Sequence, residues 1–135
     1  MTGSERKLPD TNVILRYLLG DESPLYRKAY DFFEKVRVGT EKAIILESVL
    51  VECMYILTKF YHVPKEEGAD KLKSLLQYRG VINEDKRELI DALNIFAKGN
   101  IDFVDCILCS KARGAGHELL TFDVKLGKCV KKSKE

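Results

Sequence analysis

The chain has 135 residues, 45% of them hydrophobic and 33% charged, the size and balance of one soluble globular domain rather than two. At this length roughly two-thirds of the unfolded surface can be buried, so a core is expected without disulfide or metal staples and disorder is not. The 23 basic and 21 acidic residues leave a net charge of +2, too near balance to argue for nucleic-acid binding except from local patches. The longest apolar run is far shorter than the roughly 20 residues of a membrane helix. The first ten residues are too polar for a signal peptide, so a cytoplasmic location with no membrane contact is expected. In such a chain Cys53, Cys106, Cys109 and Cys129 are expected to be reduced thiols.

In chain order, Lys7-Leu8-Pro9 reads as a short strand entering a helix over Thr11 to Leu19, closed by Gly20-Asp21. Ser23-Pro24 starts a second helix, with Tyr26, Ala29, Tyr30, Phe33 and Val36 at helical spacing, ending near Gly39. Ala43 to Leu46 is an apolar run of the kind found in strands buried on both faces. Ser48 is placed to cap a helix running to about Phe60, and Val63-Pro64 breaks it. A helix over Pro64 to Tyr78 follows, then a brief strand at Val81-Ile82. Asn83 is read as the cap of a helix reaching Lys98-Gly99. Asp102 to Ala112 reads as helix, His117 to Thr121 as strand, Asp123 to Leu126 as a helical turn and Cys129-Val130 as an edge strand. Short strands alternating with helices indicate an α/β domain with a parallel sheet covered by helices. Nothing divides the chain, so residues 1–135 form one domain, with free ends expected at 1–6 and 131–135. The lysines at 125, 128, 131, 132 and 134 form a local basic patch, read first as a frayed, solubilising terminus.

Asp10, Glu52, Asp105 and Asp123 stand out because each interrupts an apolar context. Asp10 follows the first strand and Asp123 follows the strand ending at Thr121, the carboxyl ends where open parallel sheets gather functional groups. Glu52 shares its helix side with Val49, Cys53 and Ile56, and Asp105 sits among Val104, Ile107, Leu108 and Cys109. Neither has a cation within one turn, although a carboxylate in such company requires a cation, donor or metal. Singly, each acid is more simply a cap, turn residue or salt-bridge partner. If the four converge, their repulsion raises proton affinity or draws in divalent cations, and oxygen-only ligation favours Mg²⁺ or Mn²⁺. Carboxylate-held metal pairs serve phosphodiester cleavage.

Pro9-Asp10-Thr11-Asn12-Val13-Ile14-Leu15, Glu47-Ser48-Val49-Leu50-Val51-Glu52, Asp102-Phe103-Val104-Asp105 and Leu120-Thr121-Phe122-Asp123 resemble, in order and spacing, the motifs of PIN-domain ribonucleases, most of all the VapC toxins of toxin/antitoxin pairs. The likeness runs from about residue 7 to residue 130. It implies a three-layer α/β/α sandwich with a short parallel sheet, in which Asp10, Glu52, Asp105 and Asp123 surround one or two Mg²⁺ or Mn²⁺ ions and hydrolyse RNA. By the same resemblance Thr11, Asn12 and Thr121 support those acids, and Asp102 is either the cap of its helix or an outer ligand through water. The resemblance further implies a homodimer and a cognate antitoxin partner. Lys125, Lys128, Arg16 and Arg113 are candidates to offset the acidic field so that RNA can approach.

Other readings are weaker. Cys106 and Cys109 share a helix face but have no second pair to complete a zinc site, and are expected to be buried, inert thiols. His62 and His117 are near no acid in sequence. An aspartate-nucleophile phosphatase wants a second aspartate two residues after Asp10, where Asn12 stands, and an amide transfers no proton. A non-catalytic RNA- or protein-binding module, with Tyr26, Tyr30, Phe60 and Tyr61 as stacking groups, and a housekeeping RNA-processing nuclease remain as alternatives; the RNA target is not legible.

Overall fold

The computed structural model describes residues 5–21, 23–114 and 116–132. Strand β1 (Arg6–Lys7) pairs in parallel with β2 (Lys42–Ala43), Arg6 opposite Lys42 and Lys7 opposite Ala43. On its other side Ala43 forms a parallel bridge with Val81. Ala43 is thus the middle of three short parallel segments. Asn83 extends this contact with its side chain: its amide nitrogen donates to the Ile45 carbonyl at 2.6 Å and its oxygen accepts from the Ile45 N–H at 2.8 Å. The amide mimics a strand residue, so Asn83 is not the helix cap expected from sequence.

Helix α1 (Thr11–Leu19) leaves the sheet directly after buried Pro9, and α2 (Pro24–Val38) starts on Ser23, whose hydroxyl accepts from the Tyr26 N–H at 3.1 Å. A left-handed Gly39 at φ 93° ends α2, a conformation that suits glycine because it has no Cβ. Helix α3 (Glu47–Tyr55) passes into a π-helical turn over Ile56–Phe60. It starts one residue before Ser48, with Leu46 at the cap position and no side-chain cap bond. Helices α4 (Lys65–Leu76), α5 (Lys86–Lys98), α6 (Phe103–Gly114) and α7 (Val124–Lys132) complete the chain. The core is formed by Ile14, Phe33, Ile45, Leu50, Leu72 and Leu93, all fully buried, with helices α1 to α6 each giving an apolar stripe to it. Gly80 makes the close approach of α2 to the sheet possible, since a Cβ there would overlap the carbonyls of Val36 and Glu41.

The C-terminal third departs from expectation. Residues 117–121 form no strand among the described residues; they have no ladder partner, and Leu120 is 91% exposed. Cys129-Val130 is helical, because Asp123 caps a helix whose Leu126, Cys129 and Val130 recur at three- and four-residue spacing. That helix lies against α6 and brings Cys129 to Cys109, where the two form a disulfide with Cα atoms 6.2 Å apart. Only Cys53 and Cys106 are free, and both are buried. The four reduced thiols expected from sequence are therefore two. Of the ends expected to be free, Arg6 is held in the ladder and 131–132 in α7, while 1–4 and 133–135 lie outside the described residues.

Candidate functional site

The acids singled out in the sequence are presented mainly at helix N-termini. Asp10 is the cap of α1: its carboxylate accepts from the Val13 N–H at 3.0 Å. Asp123 does the same for α7, accepting from the Leu126 N–H at 3.1 Å, while the Thr121 hydroxyl accepts from the Asp123 N–H at 3.0 Å. Asp105 lies in the first turn of α6. Unpaired N–H groups and the helix dipole favour negative charge at all three positions and offset part of the cost of gathering it.

Two groupings result. Thr11, in the first turn of α1, donates its hydroxyl to the Glu52 carboxylate on α3. Buried Cys53 registers both acids beside it: burial first, then the charges of Glu52 and Asp10, push its thiol up to about 12. In the second grouping, burial and then the charges of Asp102 and Asp123 hold the Asp105 carboxyl above the usual aspartate range. Asp102 and Asp105 also reach Cys106, whose thiol burial pushes up to about 12, with Lys65 acting the other way. Residues 102, 105 and 123 thus share one electrostatic neighbourhood, and 10, 11 and 52 another; α3 packs on both α1 and α6.

Asp102 stands just before α6, its carbonyl accepting from the Cys106 N–H at 3.0 Å, but its carboxylate accepts no hydrogen bond among the described residues. Its charge acts on Asp105. Asn12 is exposed on the first turn of α1. None of Asp10, Glu52, Asp102, Asp105 or Asp123 has a lysine or arginine within ion-pair distance among the described residues, whereas Glu47 and Asp85 share Lys111 at 2.9 and 3.1 Å. Among the described residues no three His, Cys, Asp or Glu side chains stand close enough together to hold an ion as they are. The donor set nonetheless suits a hard divalent cation: it is all oxygen, lacks internal cations, and Asp105 carries the strain of like charge that such an ion relieves.

A groove of about 860 Å³ lies between the end of α5, α6 and α7. Lys98, Arg113, Lys125, Lys128, Lys131 and Lys132 line it. Arg113 is partly engaged by Asp91 at 3.9 Å; the five lysines have no acidic partner among the described residues. Of the basic patch, Lys125, Lys128, Lys131 and Lys132 lie on α7, while Lys134 is outside the described residues. Arg16 is elsewhere, its guanidinium donating to Asp21 and Ser23 at 3.2 Å each. Lys98 had no distinguishing sequence signal, since lysine in a last helical turn is ordinary. Among the described residues no helix is long and apolar enough to cross a membrane.

The model of the PIN domain family matches residues 7–131. A VapC ribonuclease of Aquifex aeolicus (strain VF5) is 29% identical over 117 residues, which cover 86% of each chain. No solved structure matches.

Proposed function

This chain belongs to the PIN-domain family, and from that premise we propose that it is a metal-dependent endoribonuclease acting as the toxin of a toxin/antitoxin pair in the cytoplasm. The observation that carries the reading is the placement of acids without a cation partner among the described residues: Asp10 and Asp123 cap α1 and α7, Glu52 accepts from Thr11, and burial first, then the charges of Asp102 and Asp123, raises the proton affinity of Asp105. Likeness to a VapC ribonuclease over most of both chains supports it. The frame we propose is the family's α/β/α sandwich, with β1, β2 and Val81 as its visible parallel layer.

Asp10, Glu52, Asp105 and Asp123 would hold one or two Mg²⁺ or Mn²⁺ ions, with Asp102 reaching them through water. When bound, such ions supply a hydroxide at neutral pH and offset charge on the scissile phosphate. The chain's own residues prepare for this. Val13 N–H fixes one oxygen of Asp10 and Leu126 N–H one oxygen of Asp123, so each carboxylate is oriented before any ion arrives. The Thr11 hydroxyl does the same for Glu52, and Thr121 shapes the turn that presents Asp123. The lysines of α7, with Arg113, receive the RNA backbone and counter the acidic field at its edge. Asn12 contributes from the rim. In keeping with the resemblance, the working unit is a homodimer silenced by a cognate antitoxin.

The test is cleavage of a mixed structured RNA pool by the purified protein in Mg²⁺, Mn²⁺ or EDTA, beside Asp10→Asn and Asp105→Asn. Asparagine retains capping ability at position 10, so the first variant keeps its helix start. Cleavage that needs the metal and disappears in both folded variants is expected. Wild-type cleavage by both variants would overturn the assignment of the site.

A further inference from the structure

A second groove, of about 570 Å³, begins where the basic one ends: Asn100 and Ile101 line both, and Asp102 lies in the wall of the second. Its volume falls within the roughly 300–1,000 Å³ of ligand sites. It opens between the end of α3 with its π-helical turn and the start of α6, and its lining combines exposed aromatic surface with cations. Tyr55 is 64% exposed and, like exposed Lys59 one turn on, has no side-chain partner among the described residues. The Phe96 and Phe103 rings, 5.4 Å apart, form the floor, and the Lys65 ammonium lies 5.7 Å from the centre of the Phe96 ring. Asp102 is the one acid in the lining.

An unpaired nucleotide needs a flat apolar face for its base and a positive charge for its phosphate. Tyr55 with Lys59 offers that pair, and the groove meets the lysine-lined one at Asn100 and Ile101, with Asp102 in its wall. We infer that this aromatic groove is a subsite for an unpaired nucleotide of the bound RNA, its base stacked on Tyr55 and its phosphate held by Lys59. The inference rests on the ribonuclease reading and adds two contact residues to it. A paired base has both faces occupied by its neighbours and cannot stack there.

The test uses the full chain carrying Asp105→Asn, so that binding is read without cleavage, with a short fluorescent single-stranded RNA and its duplex as probes. Single-stranded RNA is expected to bind more tightly than the duplex. Tyr55→Ala is expected to weaken single-strand binding by roughly tenfold or more without changing its salt dependence, and Tyr55→Phe to restore it. Lys59→Gln is expected to reduce the slope of log affinity against log salt by about 0.7. Thermal unfolding checks that each variant is folded. Parent-like single-strand binding by both Tyr55→Ala and Lys59→Gln overturns the subsite, as does equal binding of the duplex. A change in sedimentation with unchanged RNA binding gives the groove to a second copy of the chain and likewise overturns it. In the Asp105-intact chain, metal-dependent cleavage indifferent to Tyr55→Ala removes the subsite alone. Absence of both RNA binding and cleavage removes the ribonuclease reading and the subsite with it.

Discussion

The groove along α7 makes a quantitative statement about salt. Five lysines without acidic partners, at 98, 125, 128, 131 and 132, line one continuous surface with Arg113. Each phosphate neutralised on single-stranded nucleic acid contributes about −0.7 to the slope of log affinity against log salt, so these five alone contribute about −3.5, to which Arg113 and Lys59 add. Affinity should then fall by at least about a hundredfold between roughly 50 and 200 mM salt. Replacing Lys125 and Lys128 with glutamine, which is nearly as good a helix former, should reduce the steepness by about 1.4 and leave folding unchanged. Anisotropy of a labelled RNA titrated at several KCl concentrations, on the Asp105→Asn chain, reads this directly. A slope unaltered by the double substitution, or one near zero in the parent, would refute the assignment of this face to the RNA backbone. Arg16→Gln serves as the contrast, because that guanidinium is engaged by Asp21 and Ser23 away from the groove and should leave the slope alone.

Reduction of the Cys109–Cys129 disulfide, which closes a loop of 20 residues, is expected to lower stability by about 3 kcal/mol. Calorimetry with and without dithiothreitol checks it, and Cys109→Ser should abolish the reductant effect. Because the bond pins α7 against α6, reduction should also weaken RNA binding. The raised proton affinity of Asp105 sets a sign: native protein binds more protons than unfolded chain between the usual aspartate pKa and the raised one. Stability therefore falls as pH rises through that interval, and above it the ionised carboxylate remains a cost. Asp105→Asn should be at least as stable as the parent at neutral pH and lack that part of the pH dependence, measured by urea unfolding across the acid range. Mg²⁺ or Mn²⁺ should raise the melting temperature of the parent and have a smaller effect on Asp105→Asn, since an ion that binds only the folded site stabilises it by mass action. Gly80→Ala should destabilise by about 1–3 kcal/mol, because the added Cβ meets the backbone carbonyls of Val36 and Glu41 rather than a movable side chain; chemical denaturation measures it.

Much of this molecule was legible without coordinates. Helix positions followed from apolar spacing and from Ser23, Gly39 and Gly20, whose effects are local and act on the backbone of the same turn. The order Asp10, Glu52, Asp105, Asp123 carried the family resemblance, because chemistry needs particular residue types in a particular sequence. Other features depended on partners distant in the chain. Asn83 could not be told from a cap until Ile45 was placed opposite its amide. Residues 117–121 have the composition of a strand, yet a strand exists only if a neighbour supplies its hydrogen bonds. Cys109 and Cys129 became a disulfide only when α7 crossed α6. The lysines at 125–132 became one wall of a groove only when Lys98 and Arg113, from α5 and α6, lined the other side. Local backbone preferences are written residue by residue, whereas electrostatic neighbourhoods and grooves arise from the packing of elements far apart in sequence, so tertiary structure alone decided what the acids and lysines face.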